Sequence, residues 1–175
     1  MTAGNEFGTL GVLAGTLGAT SRVYHVGFVV PDLDEAMQTL GASLGVAFAQ
    51  PMELPFTTLQ TPQGPREVKL RLSYSTRPSH IELIASAPGS LWDFGSALRG
   101  HHVGVWAEDI RAEAARLEKL GMRKLWWHAD ERGDVASFSY HETPYGFYIE
   151  LVDAAARGFY PDWFRAADPA LAPKR

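Results

Sequence analysis

The residues of this 175-residue chain that could do chemistry come in pairs. His25 stands in Tyr24-His25-Val26-Gly27-Phe28-Val29-Val30-Pro31-Asp32-Leu33, and His102 in His101-His102-Val103-Gly104-Val105-Trp106-Ala107-Glu108-Asp109-Ile110. Each His-Val-Gly opens an apolar run, and an Asp follows seven positions after each His. Glu82 lies inside Ile81-Glu82-Leu83-Ile84, and Glu150 inside Ile149-Glu150-Leu151-Val152. Taken singly, each is an ordinary hydrogen-bonded histidine or a solvated carboxylate. Taken together, at matching places in two repeats, two imidazoles and two carboxylates form a nitrogen and oxygen donor set. Such a set suits a divalent Zn, Ni, Co, Mn or Fe ion.

Strand register argues that the four share one surface. Side chains alternate across a strand, so Glu82 lies opposite Ile81 and Leu83, and Glu150 opposite Ile149 and Leu151. Helices must cover one side of each sheet and take the continuous apolar set. The carboxylates then lie on the other side, in mid-strand, where burial is costly unless they are paired or bind metal.

The elements that position these residues form a repeat. Val23–Val30 has the β-branched and aromatic content of a strand. Asp32 caps a helix with Ala36, Met37, Leu40 and Leu44 as its apolar stripe, and Gly45 stops it. Asp109, the stripe Ala114, Leu117 and Leu120, and the stop Gly121 repeat the pattern. Strands are expected near 46–50, 67–75 and 79–86, then near 122–128, 134–141 and 146–153. The unit is βαβββ, present twice, in residues 21–88 and 99–153. Pro- and Gly-bearing inserts lengthen the first copy around Pro51–Pro65. The expected fold is α+β, with two βαβββ modules forming a curved mixed sheet around a metal-binding cleft. Residues 1–20, rich in Gly and Thr, read as a flexible arm. Residues 154–175, with Phe159, Tyr160, Trp163 and Phe164, read as a tail packed on the body or on a partner subunit.

Composition narrows the function classes. No cysteine is present, which excludes a thiolate nucleophile, disulfides and thiolate-held metal clusters. A net charge of −4 argues against nucleic acid, which requires a basic stripe. No apolar run approaches the roughly 20 residues of a membrane-spanning helix. With no basic flank before Arg22, a secretion signal is not indicated, so the expected location is cytoplasmic.

The paired HVGFVVPDL and HHVGVWAEDI stretches and the closing YGFYIELVD resemble the vicinal oxygen chelate superfamily over about residues 22–153. That superfamily includes glyoxalase I, methylmalonyl-CoA epimerase, extradiol dioxygenases, and fosfomycin and bleomycin resistance proteins. The resemblance implies half-barrels whose ligands project into a cleft, with His25, Glu82, His102 and Glu150 at the metal. The ligand pattern is nearest to glyoxalase I and methylmalonyl-CoA epimerase. The implied activity is that of an isomerase, epimerase or lyase acting on a small oxo or thioester substrate through a metal-stabilised enolate. Glu150 or Glu82 then shuttles the proton as the catalytic base and acid. An iron-dependent extradiol-type dioxygenase and a non-catalytic small-molecule binding protein are the alternatives. The resemblance also implies a homodimer. The usual aromatic pair of glyoxalase I is missing around Met37–Gly45, so glutathione is not implied.

Candidate substrate contacts complete the reading. His80 shares a face with Glu82. Lys69 and Arg71 would meet an anionic substrate if the polar face of 67–74 turned inward. Trp106, Tyr140 and Tyr148 are candidates for an apolar wall. His101 precedes the ligand without sharing the register of His25, and His128 and His141 fall at strand ends.

Overall fold

The computed structural model describes residues 22–55, 57–96 and 101–167. The proposed arm at 1–20 and the last eight residues of the tail therefore lie outside the described residues. Strand β1 (Val23–Val30) leads into helix α1 (Leu33–Leu44), followed by β2 (Met52–Glu53), β3 (Thr58–Thr61), β4 (Gly64–Glu67), β5 (Arg71–Tyr74) and β6 (His80–Ala85). The second half runs β7 (His102–Ala107), α2 (Ile110–Lys119), β8 (Lys124–Ala129), β9 (Val135–Glu142) and β10 (Tyr148–Asp153). A 3-10 turn (Ala154–Gly158) and helix α3 (Tyr160–Ala167) close the described chain.

All ten strands join one sheet in the order β2-β5-β6-β1-β7-β10-β9-β8-β3-β4. Each half is built alike. β1 pairs parallel with β6, which pairs antiparallel with β5; β7 pairs parallel with β10, which pairs antiparallel with β9. The halves meet where β1 and β7 run antiparallel, so the joint is the axis of an approximate two-fold. This curled mixed sheet is the α+β fold expected from the repeat, with the half-barrel form that the resemblance implied.

The insert is the main departure from the simple repeat. Instead of a loop, it is the hairpin β3–β4, which leaves the β2 edge of the first module and pairs with β8 at the far edge of the second. The segments that carry it are bonded to each other, Leu54 N to Leu70 O at 2.9 Å and Val68 N to Thr57 O at 2.7 Å. The chain thus ties the two outer edges of the curled sheet together. The strand expected at 46–50 is reduced to one bridge, Phe48 with Ser75, and the pairing shifts to β2. The strand expected at 67–75 is split between β4 and β5.

Both helices start at the expected caps. Asp32 accepts a hydrogen bond from Glu35 N at 2.9 Å, and Asp109 from Ala112 N at 2.9 Å, each cap worth about 1 kcal/mol. Gly45 takes the left-handed conformation that ends α1 (φ 66°), which favours glycine. The last residue of each expected stripe is misplaced, because Leu44 and Leu120, at the helix ends, stay in solvent. The outer core is built from Ile110, Ala114 and Leu117 of α2 against Leu151 and Val135. The inner core lines the concave face with Leu70, Leu72, Tyr74, Phe138, Tyr140 and Trp92. Among the described residues no helix is long and apolar enough to cross a membrane.

Candidate metal centre

The antiparallel joint pairs His25 with Gly104 and Gly27 with His102. Side chains directly opposite on such a pair are close neighbours, so each imidazole lies over the other strand's glycine. A Cβ on Gly27 would overlap the His102 ring, and one on Gly104 would overlap the His25 ring. The glycine of each His-Val-Gly is therefore the space into which the opposite histidine fits.

The same registers deliver the carboxylates. Glu82 lies beside Gly27 on one flank and Tyr74 on the other, and Glu150 lies beside Gly104 and Tyr140. Each tyrosine presents its ring edge-on to a histidine, Tyr74 to His25 at 5.2 Å and Tyr140 to His102 at 5.1 Å between centroids. Glycine, histidine, glutamate and tyrosine thus occur twice around the two-fold.

The four donors converge at the axis. His25 Nε2 and His102 Nε2 are 2.8 Å apart. Glu82 Oε2 lies 2.8 Å from His102 Nε2 and 3.5 Å from His25 Nε2. Glu150 Oε2 lies 3.1 Å from His25 Nε2 and 3.4 Å from His102 Nε2. All four residues are buried, and neither carboxylate oxygen has an aligned hydrogen-bond partner. A cation bonded at about 2.1 Å holds its donors about 3.0 Å apart on an octahedron edge and about 3.4 Å on a tetrahedron edge. These spacings and the orphaned buried oxygens fit a divalent cation, and among the described residues this is the cluster with that capacity.

The electrostatics follow from burial opposed by pairing. Burial pulls the His102 imidazole down, but Glu150 and Glu82 outweigh it and lift it to about 9. His25 is raised by the same two carboxylates against the same penalty. Burial pushes Glu82 and Glu150 up, yet both stay below the usual carboxylate range because the imidazoles hold them ionised. The donor set is a buried acid–base cluster of high charge density on the inner face of the sheet.

The remaining candidates are spread more widely. Arg71 forms a two-pronged pair with Asp34 at 2.9 and 3.1 Å on the outer side, and Lys69 is exposed. It is Leu70, Leu72 and Tyr74 that face the cleft, so the polar face of β5 points outward, contrary to the expectation of anion contacts. His80 donates from Nδ1 to Ser75 O at 2.7 Å and packs against Phe164. With Trp106, stacked 3.8 Å from Tyr24, it lines a second cavity of about 380 Å³, separated from the first by Tyr160. Tyr148 is buried against His101, away from the cavity at the cluster. His128 bonds Ser137 Oγ at 2.7 Å, and His141 is buried beside Ser139.

The first cavity, about 180 Å³, opens onto Glu82 and Glu150. The tail helix α3 covers it: Trp163 donates from Nε1 to Gln50 O at 2.9 Å, and Tyr160, Trp163 and Phe164 pack around Tyr74. Tyr140 lines this cavity, as expected for the apolar wall, whereas the roles of Gly27 and Gly104 and the pairing of Tyr140 with Tyr74 across the axis were not evident from sequence. Aligning the two Glu-bearing strands with their antiparallel partners would have revealed the tyrosines.

Two βαβββ half-barrels joined at a four-donor cluster define a protein class, and the comparisons agree. The glyoxalase/bleomycin resistance protein/dioxygenase superfamily profile matches residues 24–140, and the chain belongs to that superfamily. A 2-epi-5-epi-valiolone epimerase from Actinomyces sp. is 28% identical, with 77% of this chain and 80% of the relative covered. Among solved structures, a hypothetical protein from Bacillus halodurans C-125 shares the fold with a TM-score of 0.53 at 14% identity, over 77% of this chain and 94% of that one. Methylmalonyl-CoA epimerase from Mycobacterium tuberculosis gives a TM-score of 0.50 at 21% identity, over 77% and 90%.

Proposed function

We propose that the protein is a metal-dependent epimerase or related isomerase that moves a proton at the carbon beside a small substrate's carbonyl. The observation that carries this is the buried cluster of His25, His102, Glu82 and Glu150 at the floor of a covered cavity. The epimerase relative at 28% identity supports the reaction class. His25, His102, Glu82 and Glu150 would hold the cation, which as a Lewis acid would acidify the C–H next to a bound carbonyl.

The rest belongs to the chain's own groups. Glu82 and Glu150 reach the cavity from opposite modules. Either carboxylate can accept the proton and either can return it, and stereochemical inversion needs both faces of the carbon served. Ionised at neutral pH, both are ready as bases. Helix α3 over the cavity keeps bulk water from an intermediate carbanion. Where the substrate carries a leaving group beside that carbon, the same proton removal leads to elimination. Four protein donors differ from the two-histidine, one-carboxylate set of non-haem iron oxygenases, which favours proton transfer over oxygen chemistry. A homodimer belongs to the same proposal, with Val23, Val26 and Phe28 as outward apolar surface on β1.

The test is proton–deuterium exchange. Protein loaded in turn with Co, Ni, Mn and Zn should wash deuterium from D₂O into a small α-substituted carbonyl compound. Stoichiometric metal with no exchange in any such compound would overturn the reading.

A further inference from the structure

The cavity wall speaks to the substrate, an inference that rests on the reading just given. Around Glu82 and Glu150 it is built from Leu54, Leu70, Leu72, Trp92, Phe138 and Trp163, and nearly all of its surface is apolar. No Lys, Arg or His is among the described residues lining it. The nearby cation Arg71 is turned outward and paired with Asp34. The Ser137 hydroxyl on the wall is already bonded to His128. Beyond the cation at the cluster, an anionic group would meet no counter-charge on this wall, and a polyol would find for its hydroxyls only the few polar groups of Tyr74, Tyr140, Tyr160 and Trp92, so burying either is costly. A dry cavity of about 150 Å³ holds a benzene ring, so about 180 Å³ suits a six-membered carbocycle with small substituents. We propose that the site takes a compact, uncharged, carbon-rich ketone, its carbonyl and adjacent C–H at Glu82 and Glu150 and its body against Leu70, Trp92 and Phe138. This sets it apart from an acyl-CoA ester bearing a carboxylate and from a polyhydroxylated ring.

Trp92 and Trp163 on the wall give a binding signal that does not depend on turnover. Fluorescence titration of the metal-loaded protein should rank 2-methylcyclohexanone at least tenfold tighter than methylmalonate and than a polyhydroxylated cyclohexanone. Deuterium exchange is measured on the same compounds. The expected ranking with exchange in the ketone supports both the cavity assignment and the proton-transfer reading. That ranking without exchange upholds the assignment and removes the chemistry. A polyol or the dianion binding tightest overturns the assignment, and so does no binding by any of the three.

An independent observation concerns His101. The Leu91 carbonyl can only accept, so His101 donates to it from Nε2, at 3.2 Å. A neutral His101 then has a lone pair at Nδ1, which lies 2.7 Å from His102 Nδ1. His102 must be the donor there, which commits its Nε2 to the cluster. His25 has no such support, its Nδ1 being buried without a hydrogen-bond partner. We infer that His101 is a positioning residue that fixes the tautomer and ring orientation of His102. Groups in this position typically contribute 10–100-fold to metal affinity. His101→Ala should therefore weaken Co²⁺ and Zn²⁺, measured by chelator competition, by roughly that factor and alter the Co²⁺ visible spectrum. His101→Asn, whose side-chain oxygen can accept in place of Nδ1, should recover most of the affinity, while metal-free melting temperatures stay close across the three proteins. Unchanged affinity in His101→Ala, or equal loss in both variants, would overturn the assignment.

Discussion

In the second module helix α2 buries Ile110, Ala114 and Leu117 against the sheet, whereas in the first α1 buries Leu33 alone. The same contrast holds at the cluster, where His102 is backed by His101 and His25 is not. The first module instead sends its hairpin across to the second module's edge. Duplication has kept what the cluster needs, namely His, Gly, Glu and Tyr in identical register, while the supporting core has become unequal. Conserving the inner face and not the outer one is what a shared site on a two-fold axis would demand, since each half supplies an equal share of donors but need not be equally stable.

Breaking the inner symmetry should have the largest effect. Glu82→Gln and Glu150→Gln each remove a charge from the cluster and, in the proposed mechanism, a proton carrier, and each should lower deuterium exchange by roughly 10²–10⁴-fold. Single-turnover exchange with either enantiomer of a substrate tells which carboxylate serves which face. Equal activity of both variants and the parent would remove the carboxylates from the chemistry.

The outer contrast predicts the next largest effect, on stability. Leu117→Ala opens a hole in the buried core of the second module and should cost about 2–4 kcal/mol. Leu44→Ala, exposed at the end of α1, should cost less than about 0.5 kcal/mol. Urea titration of the two variants measures the gap directly.

Filling a glycine tests the axis itself. Gly104→Ala puts a methyl group where the His25 ring lies, and Gly27→Ala does the same to His102. Overpacking of this kind should cost about 1–3 kcal/mol and displace a donor. Metal affinity should fall further than in a control such as Gly41→Ala, which meets Val46 O and the Phe48 ring and neither histidine.

A smaller effect distinguishes the modules by pH. Register makes His141 in β9 the counterpart of Ser75 after β5, since Tyr140 and Tyr74 are equivalent. Burial holds His141 down to about 4. The unfolded chain takes up that proton near 6.5 while the native state stays neutral, so stability is complete above about pH 6.5 and falls as pH drops toward 4. The loss amounts to at most about 3 kcal/mol. His141→Ser, which imports the first module's residue, should flatten the decline between pH 6.5 and 4 in thermal melts.

What the sequence disclosed follows from which forces are local. Asp32 and Asp109 as caps and Gly45 as a stop act within one turn, and strand alternation put Glu82 and Glu150 on a common face. The hairpin β3–β4 was hidden because its partner, β8, lies far along the chain and is selected by tertiary closure. The outward face of Arg71 was equally hidden, because β5 taken alone offers two faces and only packing chooses between them. Leu44 and Leu120 fit their helical stripes, yet at the helix ends both stay in solvent. The support of His102 by His101 depends on side chains breaking alternation just before β7, which no periodicity reveals.

The central claim is a single cation shared by both halves. X-ray absorption at the Co or Zn edge of protein reconstituted to saturation reads the donor shell directly. One metal per chain with two imidazoles and two carboxylate oxygens, reduced to one imidazole in both His25→Ala and His102→Ala, is the predicted result. Substoichiometric binding, or a shell unaltered by either substitution, would contradict it.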